Sequence, residues 1–284
     1  MTLEIATVGC PVCGTATGHQ PQLDGLLHQC QGCTFTWTVN TIPPPEELYN
    51  TNYFTGDGYE DYYQPSARRF EARRRLRWLL RHTSTRITTL LEAGSAGGYF
   101  IEAARHHGID AEGVEVAESA AQFATEHLGV PVHHGTFETH QPTHPYDAVC
   151  AFHVLEHVED PNTLLRTART HLNPGGHLGI EVPNIASAAA RRLGRSWPHL
   201  ETRFHRWHFT PESLTRLVRT HGFEVVSRDT VFSRFYWRPW ARLRNARGLV
   251  LADLVASRSP SVSHPNLGDA IRLVARRLES GRSR

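Results

Sequence analysis

Lysine is missing from this chain of 284 residues. All 30 of its basic residues are arginine, and methionine occurs only at position 1. A formal net charge of +2 lacks the basic excess that a nucleic-acid binder normally carries. Codon bias in a GC-rich genome is the simplest cause of the missing lysine. It also accounts in part for the 19 histidines, so a single His is weak evidence of function. No run approaches the roughly 18 apolar residues of a spanning helix. The N-terminus, MTLEIATVGCPVCG, has neither the basic start nor the apolar core of a secretory signal. A cytoplasmic protein with no membrane segment is therefore the expectation. A hydrophobic content of 39% and a charged content of 20% fit a globular chain with one sizeable core and an appended module.

Cysteine is scarce after residue 33. Four of the five cysteines form two C-x2-C pairs, Cys10 with Cys13 and Cys30 with Cys33, separated by sixteen residues. Two such pairs read as a four-thiolate structural zinc site, since each clasps an ion from a tight turn. Disulfides are the alternative, disfavoured in a reducing compartment. His19 and His28 lie between the pairs and could replace a ligand. A closed four-sulfur site leaves no open position for catalysis, so folding of a zinc ribbon over residues 1–40 is the expected role. Cys150, in the apolar run YDAVCAF, reads as a buried core residue.

Residues 41–85 follow as a linker and helix. TIPPPEELYNTNYFTGDGYEDYYQP combines stiffening prolines with six aromatics, more than a disordered spacer would carry, and suggests a lid. SARRFEARRRLRWLLRH has Ala72, Leu76, Leu79 and Leu80 at helical spacing, with Ser66 as its cap. From residue 87 strands and helices alternate. The strand candidates are 87–93, 111–116, 130–134, 146–152 and 177–183, and a further helix and strand follow from Thr210. That order implies an α/β fold, a doubly wound parallel sheet covered by helices on both faces, over residues 86–239. Residues 240–284 read as a C-terminal extension in which Ile271, Val274 and Leu278 share a helical face, docked on the core or on a second subunit as a homodimer.

The stretch LLEAGSAGGYF ends the first strand in Glu92 and opens a helix through Gly94, Ser95, Ala96, Gly97 and Gly98. It lacks the G-x-G-x-x-G spacing that seats a pyrophosphate, and an acid beside the turn suits a cationic ligand. Glu115 ends the next strand 23 residues later, where a carboxylate can accept both hydroxyls of a ribose. A nucleoside carrying a positive group and no phosphates fits this pair.

These residues resemble the class I S-adenosylmethionine-dependent methyltransferases, whose signature is an acid followed by G-x-G-x-G. Here that signature is Glu92, Gly94, Ala96 and Gly98, with alanine replacing the middle glycine. GVEVAESAAQFA is similar to the family's second strand, and residues 146–184 to its fourth strand, helix, Pro-Gly-Gly turn and fifth strand. HLETRFHRWHFTPESLTRLVRTHGFEVV resembles a subgroup with N-terminal zinc ribbons. The resemblance implies a Rossmann-like fold and S-adenosylmethionine held by Glu92, Gly94, Ala96, Gly98, Tyr99, Glu115, Val116, Phe137 and Phe152. The acid usual after the third strand is Thr136, which leaves adenine placement to backbone groups and Phe137.

Methyl transfer to oxygen or carbon needs an aligned acceptor and, for most acceptors, a base. FHVLEHV places His153, Glu156 and His157 on one face if helical, as a base with its neighbours or as ligands of a second, divalent metal. Ubiquinone-type O-methyltransferases have a similar Glu-x-x-Glu-His stretch, whose first Glu is His153 here. WPHLETRFHRWHF adds Trp197, His199, Glu201, His205 and His208 in a loop expected to cover an organic acceptor. The catalytic candidates are His153, His205, His157 and Glu201, and the expected partner is a small-molecule methyl acceptor. Two alternatives stay open: an RNA methyltransferase, against which stand the modest charge and FHVL in the place of a base-stacking motif, and a non-catalytic binding protein.

Overall fold

The computed structural model describes residues 9–16, 19–48, 65–231 and 268–279. The aromatic segment 49–64 and most of the C-terminal extension lie outside the described residues. Two sheets organise the rest. The larger has seven strands in the order β10-β11-β8-β7-β4-β5-β6. Its parallel part comprises β4 (Thr89–Ala93), β5 (Asp110–Glu115), β6 (Val132–His134), β7 (Tyr146–Phe152) and β8 (Leu172–Pro183). β10 (Phe223–Val231) and β11 (Ala270–Arg277) close one edge antiparallel.

Side-chain alternation along the parallel strands divides the apolar residues between two cores. In β7, Val149 and Ala151 enter one core while Ala148, Cys150 and Phe152 enter the other. The first lies under α5 (Pro161–His171) and α7 (Pro211–Thr220), which contribute Leu164, Leu165, Leu214 and Leu217. The second is covered by α2 (Pro65–His82), α3 (Tyr99–His106) and α4 (Glu118–His127), with Leu76, Leu79, Ile101 and Ala124. α5 starts sharply because Asp160 accepts the Asn162 and Thr163 N–H groups ahead of Pro161. A capping box between Thr210 and Ser213 does the same for α7. α2 starts at Pro65, so Ser66 lies inside the helix rather than capping it.

The smaller sheet joins β1 (His19–Gln22), β2 (Leu27–Cys30) and β3 (Thr36–Thr38) to β9 (Trp207–His208), a piece of the loop after β8. A short helix, α1 (Pro45–Leu48), follows β3, and α6 (Ala188–Leu193) follows β8. The N-terminal module is thus welded to the larger domain. Phe35, fully buried, stacks on Trp207 at 6.1 Å and lies 5.3 Å from Phe209. Among the described residues no helix is long and apolar enough to cross a membrane.

Two expectations are corrected. Residues 270–277 are a strand, not the expected C-terminal helix. Ala270 to Ala275 are all buried, because β11 is sandwiched between β8 and β10, and burial on both faces imitates a helical stripe over so short a run. His153 to Val158 form turns rather than a helix, with His153 at a φ of 58°. The contact between His153 and Glu156 therefore comes from a tight turn.

Candidate active site

β4, β5, β7 and β8 all point their carboxyl ends at one rim, where open α/β sheets hold ligands. After β4 the chain turns back on β5, with the Gly94 and Ser95 N–H groups donating to the Val114 carbonyl at 2.8 and 3.1 Å. Glycine at 94 is required twice over. Its φ is 64°, and a Cβ there would stand 2.5 Å from Val154 Cγ2. Gly94→Ala is expected to lower the melting temperature and remove donor binding, both readable in one thermal-shift titration. Gly98, with a φ of 77°, opens α3. Ala96 also has a left-handed φ, 47°, so alanine occupies a conformation that glycine adopts at no cost.

Glu115 is buried and braces this loop. Its Oε2 accepts the Ala96 N–H at 2.7 Å and its Oε1 the Ala117 N–H at 2.9 Å. Burial raises its pKa although these donors oppose the shift. Glu92 is 4% exposed with Oε2 unpartnered, and burial holds its pKa well above the usual range despite the nearby Arg75. A cationic ligand at this rim would satisfy the unpartnered Glu92 oxygen.

The other expected donor-side residues are spread more widely. Tyr99 stands at the start of α3 under the Arg69 guanidinium, 5.7 Å from its ring. Val116 follows Glu115, and its carbonyl lies 3.2 Å from His134 Nε2. Phe137 packs edge-on against His171 in the first core, 5.3 Å away. Phe152 lies in the second core, 4.8 Å from Phe100 and beneath the Arg75 guanidinium.

Beyond β7 and β8, the histidine candidates converge. His153 Nδ1 lies 3.0 Å from Glu156 Oε1, and its Nε2 lies 3.1 Å from Glu181 Oε1. Burial pulls its pKa down, but the two carboxylates outweigh that and raise it to about 9, so it is an imidazolium at neutral pH. His157 and His205 have their Nδ1 atoms 3.2 and 3.0 Å from the Phe204 and His199 carbonyls, and their rings meet at 4.6 Å. Burial lowers His157 to about 3 and takes His205 well below its ordinary value, leaving both neutral. Glu201 Oε2 lies 3.6 Å from His205 Nε2, and burial lifts the Glu201 carboxyl to about 7. In this group His153 and Glu201 keep side-chain exposures of 23% and 25%, while Glu156 has none. Donor atoms of Glu156, His157 and His205 lie within 4.8 Å of one another, and Glu156 Oε2 is buried without a partner. Carbonyl-anchored imidazoles beside a carboxylate are the donors a divalent transition metal accepts.

A buried ion network, not anticipated from the sequence, holds this floor in place. Glu181, on β8, pairs with Arg75 of α2 and with Arg272 of β11, its cross-strand neighbour. Arg272 also reaches Glu71 of α2. These cations and His153 outweigh burial and keep Glu181 well below the usual carboxylate range. The available signal was an acid inside the apolar run HLGIEVP.

The N-terminal module reaches the same place. Thr38 donates its hydroxyl to the His205 carbonyl at 2.6 Å and lies 2.9 Å from His208 Nε2. Its N–H donates to the Arg206 carbonyl, and the Arg206 N–H donates to the Glu156 carbonyl. Cys10 Sγ lies 3.5 Å from Cys33 Sγ and Cys13 Sγ 3.6 Å from Cys30 Sγ, with all four within 4.8 Å.

Residues 63–228 match a family model described as a methyltransferase domain. A ubiquinone biosynthesis O-methyltransferase of Azoarcus sp. is 28% identical over 167 residues, covering 54% of this chain and 71% of that protein. One from Pectobacterium carotovorum is 33% identical over 102 residues, 34% of this chain and 43% of its own length. The chain thus spans less than half of that second relative. Among solved structures, a possible histamine N-methyltransferase from Thermotoga maritima superposes with a TM-score of 0.53 at 22% identity, over 77% of this chain and 93% of that one. Magnesium protoporphyrin IX methyltransferase from Synechocystis, solved with S-adenosylhomocysteine, gives 0.54 at 15% identity, over 82% and 97%. These two likenesses speak for the fold. The family model spans more than half of the chain, from the start of α2 into β10, and includes the glycine loop and both rim acids. The chain therefore belongs to the methyltransferase-domain family, as an S-adenosylmethionine-dependent enzyme.

Proposed function

We propose that the protein methylates oxygen or carbon of a small organic acceptor, with Glu92 and Glu115 binding the donor. The observation that carries this reading is the placement of the polar groups. Two buried acids flank a tight glycine turn, and next to them a sealed His/Glu cluster exposes only His153 and Glu201. Donor and acceptor would meet at that boundary. The base role expected of His153 passes to Glu201, whose pKa of about 7 suits proton removal near neutrality. His205, 3.6 Å behind it, steadies the carboxyl. His153, clasped by Glu156 and Glu181, supplies a fixed positive charge toward an acceptor oxygen as it becomes an anion. The relatives' names, ubiquinone biosynthesis O-methyltransferase, direct the acceptor search first to hydroxyl oxygen.

The test is calorimetric titration of S-adenosylmethionine, followed by transfer of a labelled methyl group to phenols, catechols and carboxylic acids. Micromolar binding with transfer to one class supports the reading. Tight binding with no transfer to any class favours the non-catalytic alternative.

The four thiolates would hold a structural zinc ion. A tetrahedron with bonds of about 2.3 Å has edges of about 3.8 Å, close to the two measured separations. When bound, the ion supplies folding energy to a module with little core of its own. Because β3 pairs with β9, stripping zinc with a chelator is expected to raise amide exchange at 199–209 as well as at 10–38. Deuterium exchange confined to the N-terminal module would show that the two are not coupled.

A further inference from the structure

A separate cluster lies outside the methyl-transfer site, on the first-core face of the sheet near its β6 edge. Glu112 of β5 is three residues before Glu115, so its side chain leaves the opposite face of the strand. His133 of β6 places its Nε2 2.6 Å from Glu112 Oε2. The Tyr146 hydroxyl donates to the other carboxylate oxygen, Oε1. His140, from the β6–β7 connection, brings its ring to 5.0 Å from that of His133.

We propose that Glu112, His133 and His140 bind a divalent transition-metal cation of the Zn2+, Co2+ or Ni2+ class. One donor atom from each lies within 4.8 Å of the others. Neighbouring ligands of one ion with bonds of about 2.1 Å stand about 3.0–3.4 Å apart, so small side-chain rotations that open the 2.6 Å contact between Glu112 and His133 bring the three donors to coordinating distance. Glu112 is already divided between two tasks. Tyr146 fixes Oε1, as outer partners of ligating carboxylates do, and Oε2 faces the imidazole. An ion pair between Glu112 and His133 would explain those two residues but not the third. His140 Nε2 is buried with no hydrogen-bond partner, and so is Nε2 of His171, whose ring lies 6.2 Å from that of His140. Two imidazoles and one carboxylate select a borderline cation over Mg2+ or Ca2+, which prefer all-oxygen shells. Entry is open, since the His133 and Glu112 side chains are 49% and 24% exposed. The bound ion would tie β5, the three-residue edge strand β6 and the loop carrying Phe137 into one unit. This site does not depend on the methyl-transfer reading.

The test is equilibrium dialysis against Ni2+ of the full chain carrying a single equivalent of zinc for its four cysteines, with His133→Gln and His140→Gln alongside. The wild type is expected to hold one Ni2+ more than either variant, and millimolar Mg2+ should not displace it. Tyr146→Phe should keep the site but weaken it about 10–100-fold. Paramagnetic broadening should fall on amides near 112, 133 and 140 and spare Gly94 to Gly98. Equal Ni2+ in the wild type and both variants overturns the proposal. So does displacement by Mg2+, or broadening centred on Glu156, His157 and His205.

Discussion

Glu115→Ala is expected to weaken S-adenosylmethionine binding at least tenfold while the protein stays folded. Two losses add. In the donor-binding reading, the carboxylate accepts hydrogen bonds from the ribose hydroxyls, and hydrogen bonds to a charged group contribute about 1.5–3 kcal/mol. The same carboxylate accepts the Ala96 and Ala117 N–H groups, so its removal also frees the loop on which the donor rests. Ala96 sits in a left-handed conformation, and it is the position most ready to relax once unbraced. Glu115→Gln provides a second reading, because an amide keeps one oxygen acceptor and loses the charge. Its affinity should fall between the other two. Calorimetry with circular dichroism as the fold control checks both variants, and unchanged affinity in the alanine variant would remove Glu115 from the site.

Arg272→Met should be the most destabilising single change among the polar residues, by about 3–5 kcal/mol. The Arg272 side chain is 3% exposed and lies between Glu71 and Glu181. Removing it leaves two buried carboxylates sharing Arg75, with Arg74, 3.5 Å from Glu71, as the other guanidinium, and under-compensated buried charge costs more than the original pair contributed. For a chain of this size the melting temperature should drop by roughly 10 °C. Neutralising one orphaned acid should recover part of the loss, so Arg272→Met with Glu71→Gln should destabilise less than the sum of the single changes. Additive effects would mean that the three residues do not act as one network. Arg272→Lys should recover little, because one ammonium cannot present the fork that serves two carboxylates.

Local pattern carried most of the fold. Strands β4, β5 and β7 lie within two residues of where apolar positions predict them, because most of each parallel strand is buried. β8 instead begins at Leu172 rather than 177 and takes in the Asn-Pro-Gly-Gly stretch expected as a turn. Cys150 is fully buried, as its apolar neighbours required. The glycine loop and its two acids were legible because a tight turn between adjacent parallel strands restricts which residues fit. β11 was missed because eight residues with apolar positions on both faces satisfy helical and extended periods alike. Only its partners, β8 and β10, decide between them. The His153 turn was missed for a related reason, since i, i+3 spacing also arises in a tight turn.

Taken alone, the sequence determined the α/β class, the four-cysteine cluster, and the acid–glycine–acid pattern at the strand ends. Each is a short-range consequence of side-chain period, turn chemistry or ligand spacing. The tertiary structure decided which charges meet. Glu181 and Arg272 stand 91 residues apart and become cross-strand neighbours through the antiparallel edge. Thr38 and His205 stand 167 apart and meet because β9 completes the ribbon sheet. Contacts of that range depend on strand order, which follows from how whole elements bury their faces and not from any local period.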